Sequence, residues 1–136
     1  MAGNALYTKA KQHLIDGTID LDTNDIRAIF VDGADYTPVL ATHETLANIP
    51  AGARVAVSGA LQSKTVTDGV FDAADIVLSA VTGDQFEYIV LYQHTGAESA
   101  LLLLLIDTAT GLPCTPNGGD ITIAWSSAAE KIFKLS

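Results

Sequence analysis

Leu101-Leu-Leu-Leu-Leu-Ile106 and Asp120-Ile-Thr-Ile-Ala-Trp125 are the two stretches that decide how this chain folds. In the second, Ile121, Ile123 and Trp125 share one face of an extended strand, and Thr122 and Ala124 share the other. That alternation marks a strand with one wet side, and it directs Trp125 toward the core. The first stretch has no wet side at all. A six-residue apolar run is far shorter than the ~20 residues a membrane helix needs, so it reads as a strand covered on both faces. Ile89, Val90 and Leu91 repeat the pattern inside a strand predicted over Phe86–Tyr92.

Two sources can supply the cover. The N-terminal helix and the connection over residues 33–52 can fold across the sheet, or a second subunit can do so. In the latter case Leu6, Leu14, Leu101, Leu103 and Leu105 are the candidate interface residues. Each leucine sealed there would contribute ~1.5–3 kcal/mol before the costs of association, which makes self-association as a trimer or dimer a reasonable expectation.

Working outward, Arg54–Val57, Leu61–Thr67, Val70–Phe71 and Ile76–Val81 carry strand patterns, separated by Ser58-Gly59, Asp68-Gly69 and Thr82-Gly83. Asp68-Gly69 between two strand-like runs is a strong hairpin signal. Ile132–Leu135 supplies a closing strand. Upstream, Ile26–Val31 is β-rich, and Ile19 and Leu21 alternate with polar residues, so strands are expected from Thr18 onward. Thr42–Ile49 predicts one short helical turn, ended by Pro50 and Gly52. Leu6, Ala10 and Leu14 recur at helical spacing, with Asn4 as a cap and Gly17 as a left-handed stop. The expected architecture is mainly β: a single domain over residues 1–136, with a helix or arm at 1–16 and an antiparallel β-sandwich or jelly-roll-like body at 18–136.

Composition narrows the function. Seven Lys and Arg against sixteen Asp and Glu give a formal charge of −9, which repels phosphate backbones and argues against a nucleic-acid partner. No stretch is long and apolar enough for a membrane span, and Met1–Gln12 lacks the apolar core of a signal peptide. A chain without a membrane or export signal is expected. Cys114 is the single cysteine, so an intrachain disulfide is excluded.

Candidate chemistry is sparse. Asp16, Asp20, Asp22 and Asp25 form the densest carboxylate cluster, but the central glycine and final glutamate of a calcium loop are missing, and the positions suit turns. His13, His43 and His94 are scattered, with no nucleophile motif beside them. Cys114 has no adjacent basic residue to activate it and reads as a packing residue. Asn117-Gly118-Gly119 precedes a strand rather than a helix, so it reads as a turn and not a phosphate cradle. No catalytic residue, cofactor or metal is therefore expected.

Three segments carry a family resemblance: Gly17-Thr-Ile-Asp-Leu-Asp-Thr-Asn-Asp-Ile-Arg27, Val66-Thr-Asp-Gly-Val-Phe-Asp-Ala-Ala-Asp75, and Ile106-Asp-Thr-Ala-Thr-Gly-Leu-Pro113 leading into Thr115–Trp125. With them the chain resembles small virion structural proteins of tailed bacteriophages, of the capsid decoration or cement kind, sometimes labelled tail-fibre-like. The resemblance implies a non-enzymatic protein made in the host cytoplasm and carried on the capsid surface. Its implied partner is the major capsid protein, with residues 1–16 as an attachment arm. A tail, neck or fibre component is the alternative, and a carbohydrate-binding module using Trp125 is a third.

Overall fold

The computed structural model describes residues 5–107, 109, 111–125 and 132–134. In chain order they form β1 (Ala5–Leu6), α1 (Thr8–Ile15), β2 (Ile26–Val31), β3 (Arg54–Val57), β4 (Thr65–Thr67), β5 (Val70–Asp72), β6 (Ile76–Leu78), β7 (Tyr88–Gln93), β8 (Leu101–Ile106), β9 (Ile121–Ile123) and β10 (Phe133–Lys134). Short 3-10 turns at Leu46–Asn48 and Ala51–Ala53 punctuate the connection into β3. A five-stranded sheet in the order β1-β8-β7-β2-β3 is accompanied by a three-stranded sheet, β10-β5-β4, and a two-stranded one, β6-β9. Every strand pair is antiparallel. The chain is thus a mainly β, sandwich-like domain with one short helix, as its pattern predicts.

The central sheet is enclosed on both faces by the chain itself. Ile29 lies opposite Val90, and Val90 opposite Leu105, so these three share a face with Tyr88 two residues along β7. Over that face passes the 33–52 connection, whose Thr37, Pro38 and Leu40 line a cavity of about 380 Å³ together with Tyr88 and Leu105. Helix α1 is tied in beside it: the Tyr7 amide donates to the Leu103 carbonyl at 3.1 Å and the Thr8 amide to the Leu40 carbonyl at 2.9 Å. On the opposite face Phe30, Ile89 and Ile106 are in register, and Phe30 and Ile89 meet Phe86, Leu112, Ile121 and Ile123. The Phe30 and Phe86 rings stack with centroids 4.0 Å apart. As a result Leu102–Ile106 are between 0 and 7 % exposed, which explains why β8 has no polar position.

Several local expectations are revised. Ile19 and Leu21 are buried, yet they sit in turns, and the first long strand begins at Ile26. Side chains capture the backbone there: the Thr18 amide donates to Asp16 Oδ1 and the Asp20 amide to Asn24 Oδ1, removing donors a ladder would use. The helix starts at Thr8, because Ala5 and Leu6 pair with Leu105 and Leu104. The proposed cap Asn4, like the rest of residues 1–4, lies outside the described residues, as do residues 135–136 of the closing segment. The strands expected over 61–67 and 76–81 shrink to Thr65–Thr67 and Ile76–Leu78, because Ser63 (φ 54°) and Ala80 (φ 51°) turn the backbone left-handed. The Asp68-Gly69 hairpin forms as read, with φ of 53° and 78° at its two central residues, the signature of a type I′ turn.

Candidate functional site

The five leucines expected at an interface do not share one exposed surface. Leu103 and Leu105 are 0 % exposed within the single chain, so they belong to the core. Leu6, Leu14 and Leu101 are half-buried and pack against that same core. Six apolar residues in a row signal cover on both faces but carry no information about which molecule supplies it.

The titratable groups singled out in the sequence are held by structural partners. Asp25 makes a two-pronged pair with Arg27, both contacts at 3.0 Å, which pulls its carboxyl below the usual range. Hydrogen bonds from Thr18 pull Asp16 down in the same way. Asp20 and Asp22 interact directly: hydrogen bonding to Asp22 and Thr23 lowers Asp20, and the neighbouring Asp20 raises Asp22. This cluster is a solvated turn. His13 Nε2 lies 2.7 Å from Glu44, linking α1 to the 33–52 connection, and His94 Nδ1 lies 3.0 Å from the Tyr92 hydroxyl. Cys114 is half-buried and exchanges both backbone hydrogen bonds with Phe86. Asn117-Gly118-Gly119 is a turn: the Gly119 amide donates to Asn117 Oδ1, and Gly118 has φ 86°. Trp125 is half-buried, its amide donating to Asp75 Oδ1 and its indole N–H to the Ala74 carbonyl.

A directed polar chain, invisible in the sequence, locks helix and connection together. The Val39 amide points at His43 Nδ1 from 3.3 Å, which makes that nitrogen an acceptor and places the ring proton on Nε2. The Tyr36 hydroxyl therefore donates to His43 Nδ1 at 2.9 Å, and the Tyr7 hydroxyl donates to the Tyr36 oxygen at 2.9 Å. Burial pushes both tyrosines above, and the histidine below, their ordinary values. The hydrogen bonds from Tyr7 to Tyr36 and from Tyr36 to His43 tie the start of α1 to the 33–52 connection.

Carboxylate oxygens of Asp32, Asp35 and Asp84 come within 4.8 Å of one another, the one grouping with metal-ligand spacing among the described residues. Sequence distance hides it, since Asp84 arrives from the far side of the chain. Oxygen ligands suit a hard cation. Asp35 and Asp84 are exposed, however, and Asp32 Oδ1 accepts from the Ala34 amide in the local turn.

A cleft of about 310 Å³ is lined by segments 55–59 and 77–82. β3 forms one wall. It ends the five-stranded sheet and has no neighbour on its outer side among the described residues. The Ser58 amide donates inward to the Ala28 carbonyl, so the backbone groups of Val57, one residue back, point outward from the sheet. β6 forms the other wall as one edge of the two-stranded sheet. Val57 and Val77 stand 47 % and 52 % exposed at the cleft, and no charged residue lines it. Gly83 follows the last lining residue, Thr82, and a Cβ there would lie 3.3 Å from a Val55 methyl group.

No protein-family model and no curated protein matches the chain.

Proposed function

We propose that this chain is a protein-binding structural component of a tailed-phage virion, a capsid decoration or cement protein that attaches to the outer shell. The observation that carries the protein-binding part is the uncharged cleft beside the edge of β3, which is unpaired among the described residues and holds no proline or lysine to bar an added strand. The titratable groups singled out in the sequence are engaged in holding turns and the helix, which fits a non-enzymatic role. The virion part rests on the sequence resemblance. A lattice multiplies weak contacts, because each further attachment is effectively intramolecular, so a small site on a small domain suffices.

β8 is sealed by its own chain, so this reading needs no second subunit to cover it. Trp125 spends its indole donor on the Ala74 carbonyl, which weighs against the carbohydrate-binding alternative. The test is the composition and imaging of purified particles from a phage encoding the chain. Immunogold label over the capsid supports decoration, label at the neck or tail favours the tail-component alternative, and absence from particles overturns both.

A further inference from the structure

We propose that the cleft between β3 and β6 accepts an extended segment of another protein, which adds as a sixth strand to the free edge of β3. This deepens the protein-binding reading by naming the surface and the form of the ligand.

Four observations converge. The outer backbone groups of Val57 face the cleft, and only an extended backbone offers donors and acceptors at matching spacing. The edge is short and bulged, but Arg54-Val-Ala-Val57 has no proline or lysine to bar a further strand. Its one cation, Arg54, is turned to other work, donating to the Ile49 and Leu46 carbonyls and to Glu98. The β-bulge between Phe30 and Val31 leaves Val55 as the extra residue of β3, and Val55 lines the cleft. A ligand strand therefore presents small or β-branched side chains at alternate positions, toward Val57 on one wall and Val77 on the other.

Charge selects between a foreign segment and a second copy. Asp120 stands at the rim, where its Oδ1 accepts from the Ala80 amide, and exposed Asp84 follows Gly83. Of the other sheet edges among the described residues, β1, β4, β6, β9 and β10, β4 is exposed along its whole length; it runs into Asp68 at the hairpin tip and pairs with β5, which ends at Asp72. Docking that edge of one copy into the cleft of another would set acid against acid in a chain of net charge −9. The ligand is thus a segment flanked by Lys or Arg.

The test titrates the full chain with a capped, lysine-flanked heptapeptide of alternating threonine and valine, followed by amide NMR. Amide shifts confined to 55–59 and 77–82 are expected, with Kd on the order of 100 µM because one added strand is far smaller than a standard interface. A proline at the peptide's centre is expected to weaken binding at least tenfold, and so is Val57→Lys in the protein. Val66→Lys on the β4 edge is expected to leave it unchanged, and a preserved spectrum verifies the fold of each variant. Absent shifts, shifts centred on β4, full binding by Val57→Lys, or equal binding of an aspartate-flanked peptide would overturn the proposal. Concentration-dependent shifts of the same amides in protein alone would also overturn it, by showing a second copy in the cleft. The peptide result is independent of where the protein sits in a particle, so failure here and failure of the virion reading are told apart.

Discussion

β8 and β4 are both antiparallel strands of one small domain, and they meet opposite environments. Leu102–Ile106 of β8 are buried to within a few per cent, whereas Thr65, Val66 and Thr67 of β4 are all exposed. β8 lies inside a five-stranded sheet, with α1 and the 33–52 connection on one side and the loops around Phe86 and Ile121 on the other. β4 is an edge, held by a two-residue turn and a three-residue ladder. Strand geometry is common to both, so burial on two faces, rather than extended backbone, is what demands apolar residues at every position.

The sharpest way to break this comparison is Leu103→Asp. An unpaired charge placed where the side chain is wholly enclosed is expected to cost ~4 kcal/mol or more and to unfold the isolated monomer, as read by circular dichroism during urea titration. A folded monomer with merely altered association would instead return β8 to the interface reading.

Next in size is Arg54→Ala. Its guanidinium holds the Ile49 and Leu46 carbonyls and Glu98 from a mostly buried position, so its loss is expected to cost about 2 kcal/mol in chemical denaturation. Arg54→Lys should recover only part of this, since an ammonium cannot reproduce the forked contact.

A smaller effect, and one with a sign, comes from His43. Its folded value is depressed by burial, and its Nδ1 accepts from Tyr36, so the unfolded chain binds a proton more readily than the folded one. Stability from this group is present above its ordinary value of 6.5 and is lost as pH falls through the lower folded value. Thermal midpoints between pH 7 and pH 5 should fall in the wild type and fall less in His43→Gln. An equal slope in both would remove His43 from the lock.

The smallest change expected is at the other pole of the comparison: Val66→Lys, on a side chain 49 % exposed, should shift stability by no more than ~0.5 kcal/mol in the same urea titration. A loss beyond 1.5 kcal/mol would mean that β4 is not the open edge it is described as here.

How much of this was legible beforehand depends on the range of the interaction. The Asp68-Gly69 hairpin, the alternation of Ile121 and Ile123 and the limits of β8 are local, and they were read correctly. Ile19 and Leu21 suggest a strand by their alternation but lie in turns, because period two in two apolar residues cannot reveal that Asp16 and Asn24 have already taken the backbone donors. The candidate site was the least legible part. Arg54–Val57 was seen as a strand, but nothing in those residues says that it lies at an edge or that β6 lies across a cleft from it.

By itself the sequence determined a mainly β chain with one helix, turns or stops at Gly17, Gly69, Gly83 and Gly118, a net charge of −9, and two strands needing cover on both sides. Those properties follow from short-range sterics and from the polarity of individual residues. Only the tertiary structure decided that α1 and the 33–52 connection supply the cover, that Tyr7, Tyr36 and His43 join in one hydrogen-bonded chain, and that β3 has no outer neighbour among the described residues. The physical reason is that burial is measured in area removed from water, which is indifferent to its source. A leucine run states how much surface must be covered, and chain connectivity selects the element that covers it.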